Sequence, residues 1–193
     1  VHSRIFNFTE VSSKEDGENI TLKLKTNDHH GLIKYLLLVD PKLLNINKLD
    51  KITDLFCGIG NFSLPLARYA KSVLGIELQE DFIKRAQHNA KLNNINNIEF
   101  LSGDLFDSNN NWSDFKCNKL LLDPARNGAM EVVSNIELFD AKKIVYVSCH
   151  PGTLARDTDV LVNEKKYTLD TAGIIDMFPH TAHVESIALF SKY

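Results

Sequence analysis

The chain has 193 residues, of which 44% are hydrophobic and 24% are charged, and its formal net charge at pH 7 is −3. This composition predicts one soluble globular domain that is long enough to bury a sizeable core. Asp and Glu (25) outnumber Lys and Arg (22), so net charge alone does not attract nucleic acid. A nucleic-acid partner would need a local basic patch or another module.

Three cysteines, Cys57, Cys117 and Cys149, are too few and too widely spaced for a C-x-x-C metal site or a disulfide framework. This usage favours a reducing, cytoplasmic setting. The apolar runs are far shorter than the ~20 residues that cross a bilayer, and we find no signal-peptide pattern. We therefore expect no membrane association, and we expect a monomer. The chain begins at Val1 rather than Met, which predicts a piece of a longer protein.

The first 50 residues differ in pattern from the rest, so we divide the chain into an N-terminal segment, 1–50, and a catalytic domain, 51–193. Polar clusters at residues 12–18 and 26–31 predict turns. The alternation of Ile20, Leu22 and Leu24 predicts a strand, and residues 31–39 predict a helix.

From residue 51 onward, short β-rich runs alternate with helical patterns, which is typical of a mostly parallel sheet with helices on both faces. The predicted strands are 52–56, 72–77, 98–101, 119–122, 143–148, 167–175 and 184–190. The predicted helices are 62–69, 80–92, 130–138 and 153–162.

A glycine-containing turn follows the first of these strands and opens a helix. Gly58 and Gly60 would let the backbone approach a ligand, and the helix start favours an anionic group. A dinucleotide fingerprint wants a third glycine, where this chain has Ser63. The turn could equally be a tight strand-to-helix connection.

Acidic residues end or follow the next three strands, at the edge where open α/β sheets bind ligands. Glu77 could accept hydrogen bonds from both hydroxyls of a ribose, or it could be a solvated charge. Asp104 could meet an adenine edge or belong to an ordinary turn. Asp123 could face the crevice, or it could cap a helix that follows Pro124.

The fifth predicted strand delivers Cys149 and His150 to the same edge. A cysteine just before a helix can have its thiolate stabilised by the helix dipole, but a lone cysteine is more often a small buried hydrophobe. His150 is a secondary candidate base. Near the last strand, Glu185 has apolar neighbours that suit it to proton transfer. His180 and His183 have no third ligand at a suitable spacing, so we expect no metal site.

Residues 122–126, 148–157 and 176–181 together resemble the catalytic domain of class I S-adenosylmethionine-dependent RNA 5-methyluridine methyltransferases. The sequences of these segments are most similar to the branch that methylates 23S ribosomal RNA, and the resemblance covers residues 51–193. It implies a Rossmann-like α/β fold with a seven-stranded, mostly parallel sheet whose last strand is antiparallel.

The resemblance also implies the site. It makes Cys149 the nucleophile that forms a covalent adduct with uracil C6, and Glu185 the general base that removes the C5 proton. It implies that S-adenosylmethionine binds at the ends of the strands and at the glycine turn. The implied cofactor-binding residues are Phe56, Gly58, Gly60, Asn61, Glu77, Asp104 and Asp123. The implied partner is ribosomal RNA, with the target base extruded from its stack.

The chain departs from this family in three places. The aromatic-x-Gln-x-Asn stretch that closes over the cofactor does not occur in residues 22–31. His150 stands where the family most often has Asn. The N-terminal RNA-binding barrel and its iron–sulfur cysteines do not occur in this sequence, so we expect no iron–sulfur cluster in this chain.

Three alternatives remain. One is the related transfer RNA uridine-C5 methyltransferase, and another is a truncated, non-catalytic remnant that binds RNA or a partner. A nicotinamide-dependent oxidoreductase is disfavoured, because it would leave the pair Cys149 and Glu185 unexplained.

Overall fold

A computed structural model describes residues 11–16, 19–24, 44–107, 115–175 and 184–193. Its nine strands are β1 (Val11–Asp16), β2 (Asn19–Leu24), β3 (Lys51–Leu55), β4 (Ser72–Glu77), β5 (Ile98–Ser102), β6 (Lys119–Leu122), β7 (Lys143–Ser148), β8 (Thr168–Ile175) and β9 (Glu185–Ser191). Its α-helices are α1 (Ser63–Ala67), α2 (Glu80–Leu92), α3 (Met130–Ser134) and α4 (Pro151–Asp159). A 3-10 turn (Ile136–Phe139) follows α3, and a π-helical turn (Val160–Glu164) follows α4.

Seven strands form one sheet in the order β5-β4-β3-β6-β7-β9-β8. The strands β5, β4, β3, β6 and β7 pair in parallel, and β9 runs antiparallel to both β7 and β8. The predicted Rossmann-like α/β fold, with its last strand antiparallel, is therefore confirmed. Because β9 is reversed, its first residue lies at the edge where the parallel strands end.

Successive buried side chains along the central strands point to opposite faces of the sheet, as expected for strands that are covered on both faces. On β6, β7 and β9 the residues Leu120, Tyr146 and Phe190 pack with α3 and α4, whereas their neighbours Leu121 and Val145 pack on the opposite face. That opposite face is covered by α1, through Leu66 and Ala67, and by a smaller cluster on α2. Helices therefore lie on both faces, as predicted.

Several predicted boundaries need correction. The turn predicted at 12–18 is wrong for residues 12–16, because they belong to β1. This strand pairs antiparallel with β2 in a separate two-stranded sheet. The helix predicted at 130–138 is a short α-helix that ends at Ser134, followed by a 3-10 turn. The helix predicted at 153–162 begins earlier, at Pro151. The helix predicted at 31–39 lies outside the described residues. No helix in the described ranges is both long and apolar enough to cross a bilayer.

A buried ion pair lies beside the start of β3. The Lys119 ammonium lies 2.6 Å from an Asp50 carboxylate oxygen, and the two side chains are only 8% and 4% exposed. Asp50 also accepts hydrogen bonds from the Asn47 backbone and from the Asn118 side chain. Burial opposes ionisation of Asp50, but these partners outweigh it and hold its pKa below the usual value.

We expect Asp50→Asn to lower the free energy of unfolding by about 3–5 kcal/mol, because it leaves the Lys119 ammonium buried without its counter-charge. Urea denaturation at pH 7 measures this. The matched control is Asp140→Asn, which breaks an exposed pair with Lys142 at 3.7 Å, and its cost should stay within about 1 kcal/mol. Equal losses in the two variants would contradict this account of the buried pair.

Candidate active site at the carboxyl edge of the sheet

The predicted site residues converge on one edge of the seven-stranded sheet. The glycine turn follows β3, Glu77 ends β4, Asp104 follows β5 and Asp123 follows β6. Cys149 follows β7, and Glu185 begins the antiparallel β9. Parallel strands end at a common edge, so residues that are distant in the chain become neighbours there.

The turn after β3 has a backbone that ordinary side chains rarely adopt. Gly58 and Gly60 have φ angles of +53° and +85°, and Phe56 has φ of +65°. A Cβ added at Gly60 would lie 3.0 Å from the Phe100 ring, whereas one added at Gly58 would meet no atom within 4 Å. A positive φ at a bulky residue such as Phe56 is costly and is concentrated at functional sites. The turn therefore leaves open space above Gly58 for a ligand.

Glu77 is attached to this turn. One of its carboxylate oxygens accepts a hydrogen bond from the Gly58 N–H at 3.1 Å, and the other accepts one from the Gln79 N–H at 3.2 Å. Each carboxylate oxygen can accept a further bond, so Glu77 remains able to receive two hydroxyl groups. Two backbone N–H groups therefore fix the orientation of the Glu77 carboxylate. A freely solvated charge, which was the alternative interpretation, would not be held in this way.

Two aromatic rings and two polar residues complete this half of the edge. The Phe56 and Phe106 rings are tilted at 47° with their centroids 5.8 Å apart. The exposed Asp104 accepts a hydrogen bond from the Phe106 N–H at 2.9 Å. Asp104 therefore belongs to a turn, which is one of the two interpretations that the sequence allowed. Asn61 is exposed at the start of the following helical turn.

Asp54 is a buried carboxyl group on β3, directly below the turn. The Ser63 hydroxyl donates a hydrogen bond to its Oδ2, while its Oδ1 has no partner among the described residues. Burial, together with the charges of Asp123 and Glu77, raises the pKa of Asp54 to about 7 against the opposing Ser63 bond. An unpaired buried oxygen beside two more carboxylates fits a cationic ligand.

The other half of the edge brings Cys149 and Glu185 together. In the antiparallel pairing of β7 with β9, Ser148 is opposite Ser186, so Cys149 and Glu185 are the next residues outward on the two strands. Both are partly buried. Burial and the Glu185 charge raise the pKa of the Cys149 thiol, the Asp123 charge adds to this, and the Arg126 charge opposes it. The thiol, two carboxyl groups and one guanidinium group therefore interact in one place.

Asp123 does not cap a helix. Helix α3 begins at Met130, and its N-terminal cap, Ala129, makes no side-chain bond. Burial, followed by the Glu185 charge, raises the pKa of Asp123 to about 7. Asp123 therefore belongs to the same electrostatic cluster as Glu185, as its place at the crevice predicts.

His150 is the N-terminal cap of α4. Its Nδ1 accepts a hydrogen bond from the Thr153 N–H at 3.2 Å, and its backbone N–H donates to the Ser148 hydroxyl at 3.1 Å. An Asn side chain can cap a helix in the same way, so His in place of Asn preserves the local geometry. The bond occupies Nδ1, which removes that nitrogen as a base.

The family model for tRNA (uracil-5-)-methyltransferases matches residues 42–193. The chain belongs to this family. A 23S rRNA (uracil(1939)-C(5))-methyltransferase from Francisella tularensis subsp. novicida is 54% identical over 154 residues, and one from Legionella pneumophila (strain Corby) is 52% identical over 153. Each alignment covers 78% of this chain and 34% of the relative, so the chain spans about a third of the length of these uracil-5-methyltransferases.

Solved structures agree with this membership. The Pyrococcus abyssi tRNA (uracil-54, C5)-methyltransferase, solved in complex with S-adenosyl-L-homocysteine, has a TM-score of 0.70 and 27% identity and covers 94% of this chain and 44% of its own. Trm5b from the same organism has a TM-score of 0.65 at 16% identity, covering 94% of this chain and 62% of its own, which supports the fold alone.

Sequence reasoning gave no role to several residues at or beside this edge. Asp54 lies in the first predicted strand of the catalytic domain, and Arg126, Arg156 and Asp157 lie in the segments that carry the family resemblance. An acidic residue inside an otherwise apolar strand was a usable signal for Asp54, because buried carboxyl groups are rare. Arg126 and Asp157 take part in contacts between the loop before α3 and helix α4, which no local pattern shows.

No group of three or more metal-ligating side chains occurs in the described parts of the chain, and His180 and His183 lie outside them. A cavity of about 560 Å³ opens beside the amino-terminal parts of β3 and β4, where Lys51, Thr53 and Cys117 contribute to its wall. It is separate from the carboxyl edge and takes no part in the site.

The raised pKa of Asp54 predicts a pH dependence of stability. The folded chain keeps the Asp54 proton up to about pH 7, whereas the unfolded chain releases it near 3.8, so the free energy of unfolding falls as pH rises between these values. We expect Asp54→Asn to remove part of this fall, which urea denaturation at pH 5 and pH 8 measures. Asp81→Asn, on the exposed face of α2, is the control and should keep the parental difference. A parental difference in Asp54→Asn as well would contradict the assignment.

Proposed function

We propose that this chain is the catalytic domain of an enzyme that transfers a methyl group from S-adenosylmethionine to C5 of a uridine in 23S ribosomal RNA. The observation that carries the proposal is the register of β9 on β7, which sets Glu185 beside Cys149 at the ligand edge of the sheet. The division into an N-terminal segment, 1–50, and a catalytic domain, 51–193, is part of the same proposal.

The residues at the edge suit this cofactor in charge and in shape. S-adenosylmethionine has a positively charged sulfonium and an ammonium group. Glu77 and Asp123 place carboxyl groups at the edge, and the carboxyl group of the fully buried Asp54 lies beneath them. In this proposal Glu77 accepts hydrogen bonds from the ribose hydroxyls, Phe56 and Asp104 flank the adenine, and Gly58, Gly60, Asn61 and Asp123 line the rest. When bound, the cofactor supplies an electrophilic methyl group.

Cys149 and Glu185 supply the two functions that uracil chemistry needs from the protein. C5 of uracil is a poor nucleophile, so the Cys149 thiolate adds to C6 and shifts an electron pair toward C5. After C5 has gained the methyl group, Glu185 removes the C5 proton, the C5=C6 double bond re-forms, and the sulfur leaves as thiolate. The Cys149 thiolate is therefore regenerated at the end of the reaction.

The nature of the relatives favours ribosomal over transfer RNA. The two relatives named for 23S rRNA are 54% and 52% identical to this chain, whereas the named tRNA enzyme is 27% identical. The joint presence of thiol, base and carboxylate cluster at one edge also argues against a non-catalytic remnant. The enzyme acts in the cytoplasm as a monomer in this proposal.

The cofactor assignment predicts that Glu77→Gln weakens binding of S-adenosylmethionine by about tenfold or more, because charged hydrogen bonds to the ribose are lost. Isothermal titration calorimetry on the 193-residue chain measures the dissociation constant. Glu80→Gln is the control, since Glu80 is exposed on α2, where it pairs with Lys84 at 3.9 Å. Parental affinity in Glu77→Gln would remove Glu77 from the cofactor site.

The mechanism predicts covalent trapping. With S-adenosylmethionine and 5-fluorouridine-containing 23S rRNA fragments, the chain should form an adduct that survives a denaturing gel, because fluorine cannot leave C5 as a proton. Cys149→Ala should form at least tenfold less adduct. Glu185→Gln should accumulate adduct even on ordinary uridine and slow product release by about 10²-fold or more. Trapping by Cys149→Ala at the parental level would refute the nucleophile assignment.

A further inference from the structure

The loop between Asp123 and α3 is fastened to helix α4 by a buried cluster of hydrogen bonds. The fully buried Asp157 accepts a bond from the Ala129 N–H at 2.8 Å and one from the Tyr146 hydroxyl at 2.6 Å, both through Oδ2. Its Oδ1 receives the Arg156 guanidinium, with Nε at 2.8 Å and Nη2 at 2.6 Å. We call Arg156, Asp157 and Thr153 the α4 clamp.

The clamp also holds the part of this loop that precedes Ala129. Arg156 Nη2 donates to the Asn127 carbonyl at 3.0 Å, and the Thr153 hydroxyl shares its proton between the carbonyls of His150 at 3.0 Å and Arg126 at 3.3 Å. Gly128 has φ of +80°, and a Cβ added there would lie 2.7 Å from both Arg156 Nη2 and Asp157 Oδ2. Such close contact fixes the loop against α4 over three consecutive residues.

Helix α4 begins two residues after Cys149. The Thr153 hydroxyl bonds the carbonyls of both Arg126 and His150, so the clamp fixes the backbone of Arg126 close to the residue that follows the thiol. Among the described residues, the charges that act on the Cys149 thiol come from Glu185 at the start of β9 and from Asp123 and Arg126 after β6. Glu185 and Asp123 disfavour the thiolate, and Arg126 favours it. A nucleophilic cysteine needs a nearby positive charge when carboxylates surround it.

We propose that Arg126 supplies the positive charge that stabilises the Cys149 thiolate, and that Arg156, Asp157 and Thr153 are positioning residues that hold its loop against α4. This inference rests on the proposed function, in which the Cys149 thiolate is the nucleophile. It assigns a purpose to the hydrogen bonds around the buried Asp157, which neither the nucleophile nor the base requires directly.

The test measures the thiolate itself and needs neither cofactor nor RNA. The 193-residue chain is alkylated with iodoacetamide between pH 6.5 and 9.5, and modification of Cys149 is followed by mass spectrometry. Cys57 and Cys117 are buried, at 5% and 6% exposure, and burial raises the pKa of each thiol, so both should react far more slowly. Cys149→Ser verifies which thiol is modified.

We expect Arg126→Met to raise the pH midpoint of alkylation by about half to one unit and to slow the reaction at pH 7.5 by roughly three- to tenfold. Arg126→Lys, which keeps the charge, should restore most of the rate. Because Arg126 is exposed, 1 M salt should shrink the difference between parent and Arg126→Met. Arg85→Met removes an exposed arginine from α2 and is the matched control, with a parental midpoint expected.

The clamp is tested separately by Thr153→Val and Arg156→Met, which leave Arg126 in the sequence. Both should raise the midpoint by less than Arg126→Met, and unfolding curves establish that they are folded at the assay temperature. Parental midpoints in both folded variants would overturn the positioning role of the clamp.

Glu185→Gln is the internal standard, because removing its negative charge should lower the midpoint. If Glu185→Gln moves the midpoint and Arg126→Met does not, the role of Arg126 is refuted, even where Arg126→Met weakens RNA binding. Failure of the proposed function has a different signature: the parent chain would form no adduct with fluorinated RNA, or Cys149→Ala would trap it equally well, while the alkylation result stands.

Discussion

The antiparallel pairing of β9 with β7 is the contact on which the candidate site depends. A purely parallel sheet would place the start of β9 at the opposite edge, far from the ligand crevice. Reversal of this one strand, with Ser148 opposite Ser186, sets the acid at 185 beside the thiol at 149. The remaining parallel strands then contribute Glu77, Asp104 and Asp123 simply by ending at the same edge.

The edge concentrates acidic groups at a cost to the fold. Asp54 and Asp123 are both buried enough to raise their pKa to about 7, and each responds to the charge of another carboxylate. Like charges in a partly desolvated crevice oppose folding, and a cationic ligand relieves them. The same charges disfavour the Cys149 thiolate, which is why one guanidinium group acquires importance there.

The sequence was most informative where the pattern was local. Helix α2 was predicted with the observed bounds, because Ile83, Ala86 and Ala90 repeat at helical spacing on one buried face. The apolar run of β6 likewise marked a central strand. Strand β1 was missed because its residues are mostly polar, whereas the alternation of Ile20, Leu22 and Leu24 did predict its partner β2. The contacts of Asp157 and Arg126 were not predictable, since they join a loop to a helix across 27 to 29 residues.

Strand β9 is last in the sequence but lies inside the sheet, between β7 and β8. Among the described strands β9 is the one neighbour of β8, so during synthesis β8 has no described strand to pair with until residues 185–191 have emerged from the ribosome. The insertion of β9 simultaneously completes the sheet and delivers the acid to the sulfur. In the proposed mechanism, an incompletely translated chain therefore has no general base beside Cys149.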